Sequence, residues 1–235
     1  MKKKLIIAID GPAGSGKSTT ARYLAKLMKL PYIDTGAMYR AVTLKAMQEK
    51  IPFENKKGLI AIAKKVSIRL AGNDPEKQKV FLDGKDVTKA IRTPELTKNV
   101  FHVAQEPLIR REMVKKQRMM GQKGGAVMEG RDIGTMVFPK ADYKFYFEAN
   151  DHIRALRRQR ELVAVGREIS LKKVMEDMKK RDATDFNRKE GPLKCAKDAF
   201  RMDTSGLTIP ETAGKILAII RSNPLKGTKL KSARR

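Results

Sequence analysis

The sequence predicts a three-layer α/β fold around a central parallel sheet, and three observations carry that expectation. Short apolar runs without polar alternation, residues 5–9 foremost, read as strands buried on both faces. Segments with apolar residues at helical spacing follow them in alternation, which implies βαβ units. A glycine-rich stretch, GPAGSGKS at 11–18, lies between the first strand and the first helix. The chain of 235 residues is long enough for one sizeable core with a small insertion, and 41% hydrophobic residues suit a packed protein.

The apolar run 5–9 stops at Asp10, too short for a secretory segment or for the roughly 20 residues of a membrane span. A helix opens near Lys17, because Ala21, Leu24, Ala25, Leu27 and Met28 recur on one face. Residues 31–33 read as a second strand, 37–50 as a helix, and 126–128 and 143–147 as two more strands. Residues 170–181 form an amphipathic helix with Leu171, Val174, Met175 and Met178 inward. Thr208 and Glu211 have capping-box spacing with Pro210 in the first turn, which opens a helix to about residue 220. One stretch breaks the alternation. Residues 66–70 alternate like a strand, and 79–87 carry Asp83-Gly84 at a hairpin turn, so a small antiparallel subdomain is expected over 65–105. Pro107 then starts a long charged helix to about residue 120. The core is expected from residues 1–64, 106–150 and 189–224, followed by a disordered basic tail over 225–235.

Composition narrows the chemistry. The net charge of +26 favours anionic partners without saying which, and the paired lysines (64–65, 115–116, 172–173, 179–180) read as solvated helix faces. A single cysteine, Cys195, excludes an intrachain disulfide and a thiolate zinc cluster, suits a reducing cytoplasm, and is expected as a small core residue. His102 and His152 have no metal-ligand spacing.

The stretch 11–18 matches G-x-x-x-x-G-K-[ST] in the strand-to-helix context that the pattern requires, and so is a P-loop. Gly11, Gly14 and Gly16 let backbone N–H groups turn inward around phosphate oxygens, with Pro12, Ala13 and Ser15 between them and Thr19 just beyond. Lys17 would reach the β- and γ-phosphates of ATP, and the Ser18 hydroxyl would hold Mg²⁺. The loop alone leaves the acceptor open. In DTGAMYR (34–40), Thr35 and Arg40 suit a ribose hydroxyl and a phosphate, though Asp34 and Thr35 equally suit a helix cap. In EGRDIGT (129–135), just past a strand, Asp132 can accept from an exocyclic amine and Arg131 can grip phosphate. RDATDFNR (181–188) ends a helix with converging arginines, to be read as an anion site or a surface salt-bridge cluster.

Taken together, these segments resemble bacterial-type cytidylate kinases. The matching pieces are GPAGSGKST, DTGAMYRA, FLDGKDVT, IRTPE, the PLIRRE helix, EGRDIGT, RDATDFNR, GPLKCAKDA and DTSGLT, which cover nearly the whole chain from residue 5 to about 220. The resemblance implies γ-phosphoryl transfer from ATP with Mg²⁺ to CMP or dCMP. It implies that Thr35 and Asp185 bind the acceptor ribose, and that Arg40, Arg131 and Arg188 lie at the acceptor phosphate and the transferred group. Arg110 and Asp132 would read the cytosine edge. Residues 151–188 would be a helical lid carrying Arg157, Arg158 and Arg181 to the ATP phosphates, and 65–105 the monophosphate-binding insertion. Lys17, Arg131, Arg181 and Arg188 are the catalytic candidates. Asp34, Glu129 and Asp132 stay open as water-mediated metal partners, with the resemblance favouring Asp132 on the base. The resemblance further implies a cytoplasmic monomer. Two competing readings are UMP as acceptor and a nucleic-acid-binding P-loop protein. Against the second, there is no reading module, no membrane segment, and only 6% aromatics with no Trp to stack bases.

Overall fold

The computed structural model describes residues 5–72, 74–164 and 166–224. The expected tail over 225–235 lies outside them. Eight strands alternate with eight α-helices: β1 Ile6–Asp10, α1 Lys17–Met28, β2 Tyr32–Asp34, α2 Thr35–Gln48, α3 Lys56–Lys65, β3 Ile68–Ala71, β4 Lys79–Leu82, β5 Lys85–Asp86, α4 Pro94–Ala104, α5 Pro107–Gln122, β6 Ala126–Gly130, β7 Tyr143–Glu148, α6 Asp151–Val163, α7 Leu171–Asn187, β8 Phe200–Asp203 and α8 Ile209–Ser222. The main sheet has the order β2-β6-β1-β7-β8, parallel throughout, and the three strands β3-β4-β5 form the small antiparallel sheet.

Alternation within β1 builds the layers. Ile7 and Ile9 pack with Phe145 and Phe147 against Leu24 of α1 and Ile216 of α8, while Ala8 turns to the other face with Ile33, Met128 and Val114 of α5. Truncating a wholly buried ring such as Phe147 to Ala costs about 3–5 kcal/mol. The small sheet shares a third apolar cluster with α2, α3 and α5, through Val42, Leu59, Ile62, Leu82 and Met113. Register brings Asp34 and Ile9 opposite Glu129, and Asp10 opposite Gly130, so three acidic side chains gather at the carboxyl edge where open α/β sheets take ligands.

The Thr208–Glu211 capping box is present, and Asp83-Gly84 turns the β4–β5 hairpin. Several readings need correction. The helix expected over 170–181 runs on through Asn187, so RDATDFNR forms its last turns, as expected of a helix end. Met175 is 38% exposed: α7 meets its neighbours along a stripe that takes Val174 and Met178, with Leu171 partly buried beside them. Cys195 is half-buried rather than part of a core cluster. The 65–105 segment is not all antiparallel strand, since α4 occupies 94–104 after the three-stranded sheet. Among the described residues no helix is long and apolar enough to cross a membrane.

Candidate active site

The loop between β1 and α1 is shaped by glycine where nothing else fits. Gly14 has φ 72°, and a Cβ there would lie 2.7 Å from the Arg154 carbonyl oxygen. Gly16 is the N-cap of α1 at φ 79°, no side chain caps that helix, and no acidic residue stands in its first turn. The first N–H groups of α1 therefore have no side-chain acceptor competing for them, which suits an anion. Pro12 O accepts from both Ser15 Oγ and Lys17 Nζ at 3.0 Å. Ala13 packs against Ala155, Val174 and Met178 of α6 and α7. Its carbonyl accepts from Arg154 Nη1 at 3.0 Å, and Arg154 Nη2 reaches Asp182 and Asp151 at 2.6 Å each. A buried arginine thus ties α6 and α7 to the phosphate loop.

Ser18 Oγ donates to Glu129 Oε1 at 2.7 Å, and Tyr32 OH reaches the same oxygen at 3.2 Å. One hydroxyl and one carboxylate beside a phosphate loop fit Mg²⁺, which takes its other ligands from phosphate and water. No group of three acidic, histidine or cysteine side chains able to hold a metal exists among the described residues. Burial pushes the Glu129 carboxyl up, with Asp34 adding to it and Lys17 opposing. Asp34 is the N-cap of α2, accepting from Ala37 N at 2.9 Å, while the Thr35 hydroxyl donates to Glu129 O at 2.7 Å.

Cations crowd the centre of the cleft. Burial, then the charge of Arg131, lowers Lys17 to about 7, with Arg181 contributing. Arg181 is pushed down to about 10 by desolvation and by the neighbouring charges of Arg131, Arg40 and Arg158, against Asp185. Arg40 is lowered by burial and by Arg92, Arg158 and Arg131, against Asp34; it donates to Thr97 Oγ1 at 2.8 Å. Arg131 is closely paired, its Nε donating to Asp185 Oδ2 at 2.7 Å. Burial resists ionisation of Asp185, yet Arg131, Arg181 and Arg188 together hold its carboxyl below the usual range.

Deeper in, Arg110 Nη2 forms a buried ion pair with Asp132 Oδ2, over the ring of Tyr39 at 5.3 Å. Arg188 bridges to Asp132 at 3.7 Å and to Asp185 at 3.4 Å, and its Nε donates to Gly191 O. Among the described residues, Arg110 Nε and Arg188 Nη2 are buried without hydrogen-bond partners. Such orphans in a folded protein point to a polar ligand. A cavity of about 720 Å³, lined by Phe53, His102, Gln105, Thr184, Asn187 and Arg188, opens beside them. A second, of about 430 Å³, lies across the phosphate loop, between Gly16, Thr19, Arg157, Thr204 and Thr208. There Arg157 donates to Thr204 O at 2.6 Å, and Thr204 Oγ1 donates to Ser15 O at 2.9 Å.

With that geometry in place, comparison decides the family: the cytidylate kinase model matches residues 7–222. This chain belongs to the cytidylate kinase family. The cytidylate kinase of Desulforamulus reducens is 48% identical over 217 residues, 92% of this chain and 97% of that protein. That of Caldanaerobacter subterraneus subsp. tengcongensis is 46% identical over 217 residues, 92% and 95% of the two chains. An uncharacterized protein from Eubacterium ventriosum has a similar fold, with TM-score 0.52 at 13% identity, covering 94% of this chain and 100% of that one.

Within this cytidylate kinase framework, Lys17, Arg40, Arg131, Arg181, Asp185 and Arg158 share one electrostatic neighbourhood, and Arg110, Asp132 and Arg188 a second joined to it. Arg157 and Arg158, adjacent in sequence, part company. Arg157 faces the cavity at Thr204, whereas Arg158 points towards Arg181 and pairs with Glu161 at 2.8 Å. Sequence reasoning missed Arg154 with Asp182, Thr204, and Gly191, whose left-handed φ of 55° brings its backbone against Arg110 and Asp132. The three-residue spacing of Asp151 and Arg154 was the one available signal.

Proposed function

We propose that this protein transfers the γ-phosphoryl group of ATP to a phosphate oxygen of CMP or dCMP, giving ADP and CDP or dCDP. The observation that carries this reading is the continuity of two sites in one cleft. A P-loop with a self-repelling cluster of cations adjoins a buried Arg110–Asp132–Arg188 set with unmet hydrogen-bonding groups.

The backbone of residues 11–16 and the N-terminus of α1 cradle the donor phosphates, and the donor base enters the cavity between Arg157 and Thr208. Lys17, Arg131, Arg181 and Arg188 gather round the transferred group, where charge spreads over its oxygens, and Arg40 takes the acceptor phosphate. Their mutual repulsion is relieved when polyanions arrive. Thr35 and Asp185 hold the acceptor ribose. Asp132 accepts from the N4 amine of cytosine, where uracil would set an oxygen against a carboxylate. Ser18 and Glu129 would hold Mg²⁺, which supplies neutralisation of the β- and γ-phosphate oxygens when bound. No histidine or carboxylate pair is needed as general base, because positioning and electrostatics supply most of the rate for this chemistry. The α6–α7 lid and the insertion close over the cleft and exclude water as acceptor. The single cysteine suits a reducing cytoplasm, and the family resemblance suggests a monomer.

The test is ADP release with ATP and Mg²⁺ and each of CMP, dCMP, UMP, AMP and GMP. Strong turnover with CMP and dCMP, with little for the rest, is expected. Hydrolysis that no monophosphate stimulates would sink the reading.

A further inference from the structure

We propose that Asp10 is a positioning residue for choice of the acceptor base, holding from the end of β1 the start of the turn that carries Arg131 and Asp132. This deepens the reading above and rests on it for the identity of the acceptor. Asp10 is 5% exposed and immediately precedes Gly11 of the phosphate loop. Its Oδ1 accepts from Ile133 N and its Oδ2 from Gly134 N, each at 2.7 Å. Those two N–H groups open the wide helical turn Ile133–Val137, whose own bonds run from Met136 and Val137 to Asp132 O and from Phe138 to Ile133 O. The first donors of such a turn have no partner within it, and a side chain from the neighbouring strand takes two of them.

Asp132 stands one residue before that anchor, at φ −147° and ψ 26°, so the peptide gripped by Asp10 sets the direction of its side chain towards Arg110. Clearance around the anchor is small. A Cβ at Gly134 would meet Lys144 Cδ at 3.2 Å and Asp10 Oδ2 at 3.3 Å. Among the described residues no side-chain cation forms an ion pair with Asp10. A buried carboxyl is costly, and the phosphoryl transfer described above gives this one no substrate to touch. Its bonds to the base-reading turn account for it, and they join that turn to the phosphate loop through a single Cα.

The test is Asp10→Asn, which turns one acceptor into a donor facing an N–H. The ratio of kcat/KM for CMP over UMP is expected to contract about tenfold, with KM for ATP within about twofold of wild type. Amide exchange of Ile133 and Gly134 in the free protein should accelerate while that of Ile7 and Ile9 does not. Equal proportional losses for both acceptors, with the ratio unmoved, would overturn the proposal and leave Asp10 a purely structural residue. Should Asp10→Asn fail to fold, Gly134→Ala presses on the same anchor by a few tenths of an ångström, and the same ratio must contract, less steeply; an unchanged ratio overturns the proposal. If the wild type transfers nothing to CMP, the proposed function falls separately. The exchange experiment still judges the anchor: unchanged rates at Ile133 and Gly134 overturn it, and faster rates sustain it.

Discussion

At the phosphate end of the cleft, Lys17, Arg40 and Arg181 stand with no ion-pair partner among the described residues, close enough to lower one another's proton affinity. At the base end, Arg110 and Arg188 share Asp132, and Arg188 also meets Asp185. The first arrangement is unstable by itself and is relieved by whatever polyanion enters, so it supplies rate and little discrimination. The second is already ion-paired, and on the proposed function it would select through hydrogen bonds whose geometry a wrong base cannot match. On the proposed function, rate and choice thereby fall mainly to different side chains, with Arg188 reaching both ends through Asp132 and Asp185.

The largest effect expected from breaking this division is at Lys17. Lys17→Met should lower kcat about a thousandfold or more in the ADP-release assay, for CMP and for UMP alike. Next comes stability at the base end. Asp132→Ala strands the buried Arg110 charge and should cost about 3–5 kcal/mol in denaturant unfolding, whereas Asp132→Asn keeps an oxygen for it and should cost clearly less. Equal losses would mean that Arg110 finds another partner. At the junction, Glu129→Gln should raise the Mg²⁺ concentration for half-maximal rate several-fold with the acceptor preference unmoved, since its carboxylate meets Ser18 rather than the base.

The smallest effect concerns pH. Burial raises Asp10 from 3.8 to about 7, Asp132 adding to the rise while its bonds to Gly134 and Ile133 and the charge of Arg131 oppose it. Between those two values the folded chain keeps a proton that the unfolded chain has lost. The stability tied to this group is therefore full below pH 3.8 and is lost as pH climbs to about 7, then stays level. The melting temperature of wild type minus that of Asp10→Asn should fall from pH 5 to about 7 and then flatten. A difference that stays flat throughout would refute this.

The two ends also differ in how far the sequence revealed them. The phosphate end is eight consecutive residues matching one pattern, so the glycines, Lys17 and Ser18 are legible as a string. The base end is assembled from α5, the turn after β6, the end of α7 and the loop at Gly191, and no local pattern links Arg110 to Asp132 across 22 positions. Resemblance to a family supplied that pairing. Nothing local supplied Asp10 or Thr204, whose partners lie more than 25 residues away, and only the spacing to Asp151 hinted at Arg154, whose bond to Ala13 O spans 141 positions. β8 escaped notice because it is an edge strand with only Met202 buried, and Met175 was misplaced because helical spacing cannot tell how wide a stripe the neighbours will cover.

The measurement that bears most directly on the division of labour pairs Arg181→Met with Asp132→Asn in one assay of kcat/KM for CMP and UMP. Arg181→Met should lose about a hundredfold on both acceptors with the ratio intact, and Asp132→Asn should lose chiefly on CMP, so that the ratio collapses. If both variants lowered both acceptors in equal proportion, rate and choice would not be separable along this cleft, and the account would be wrong.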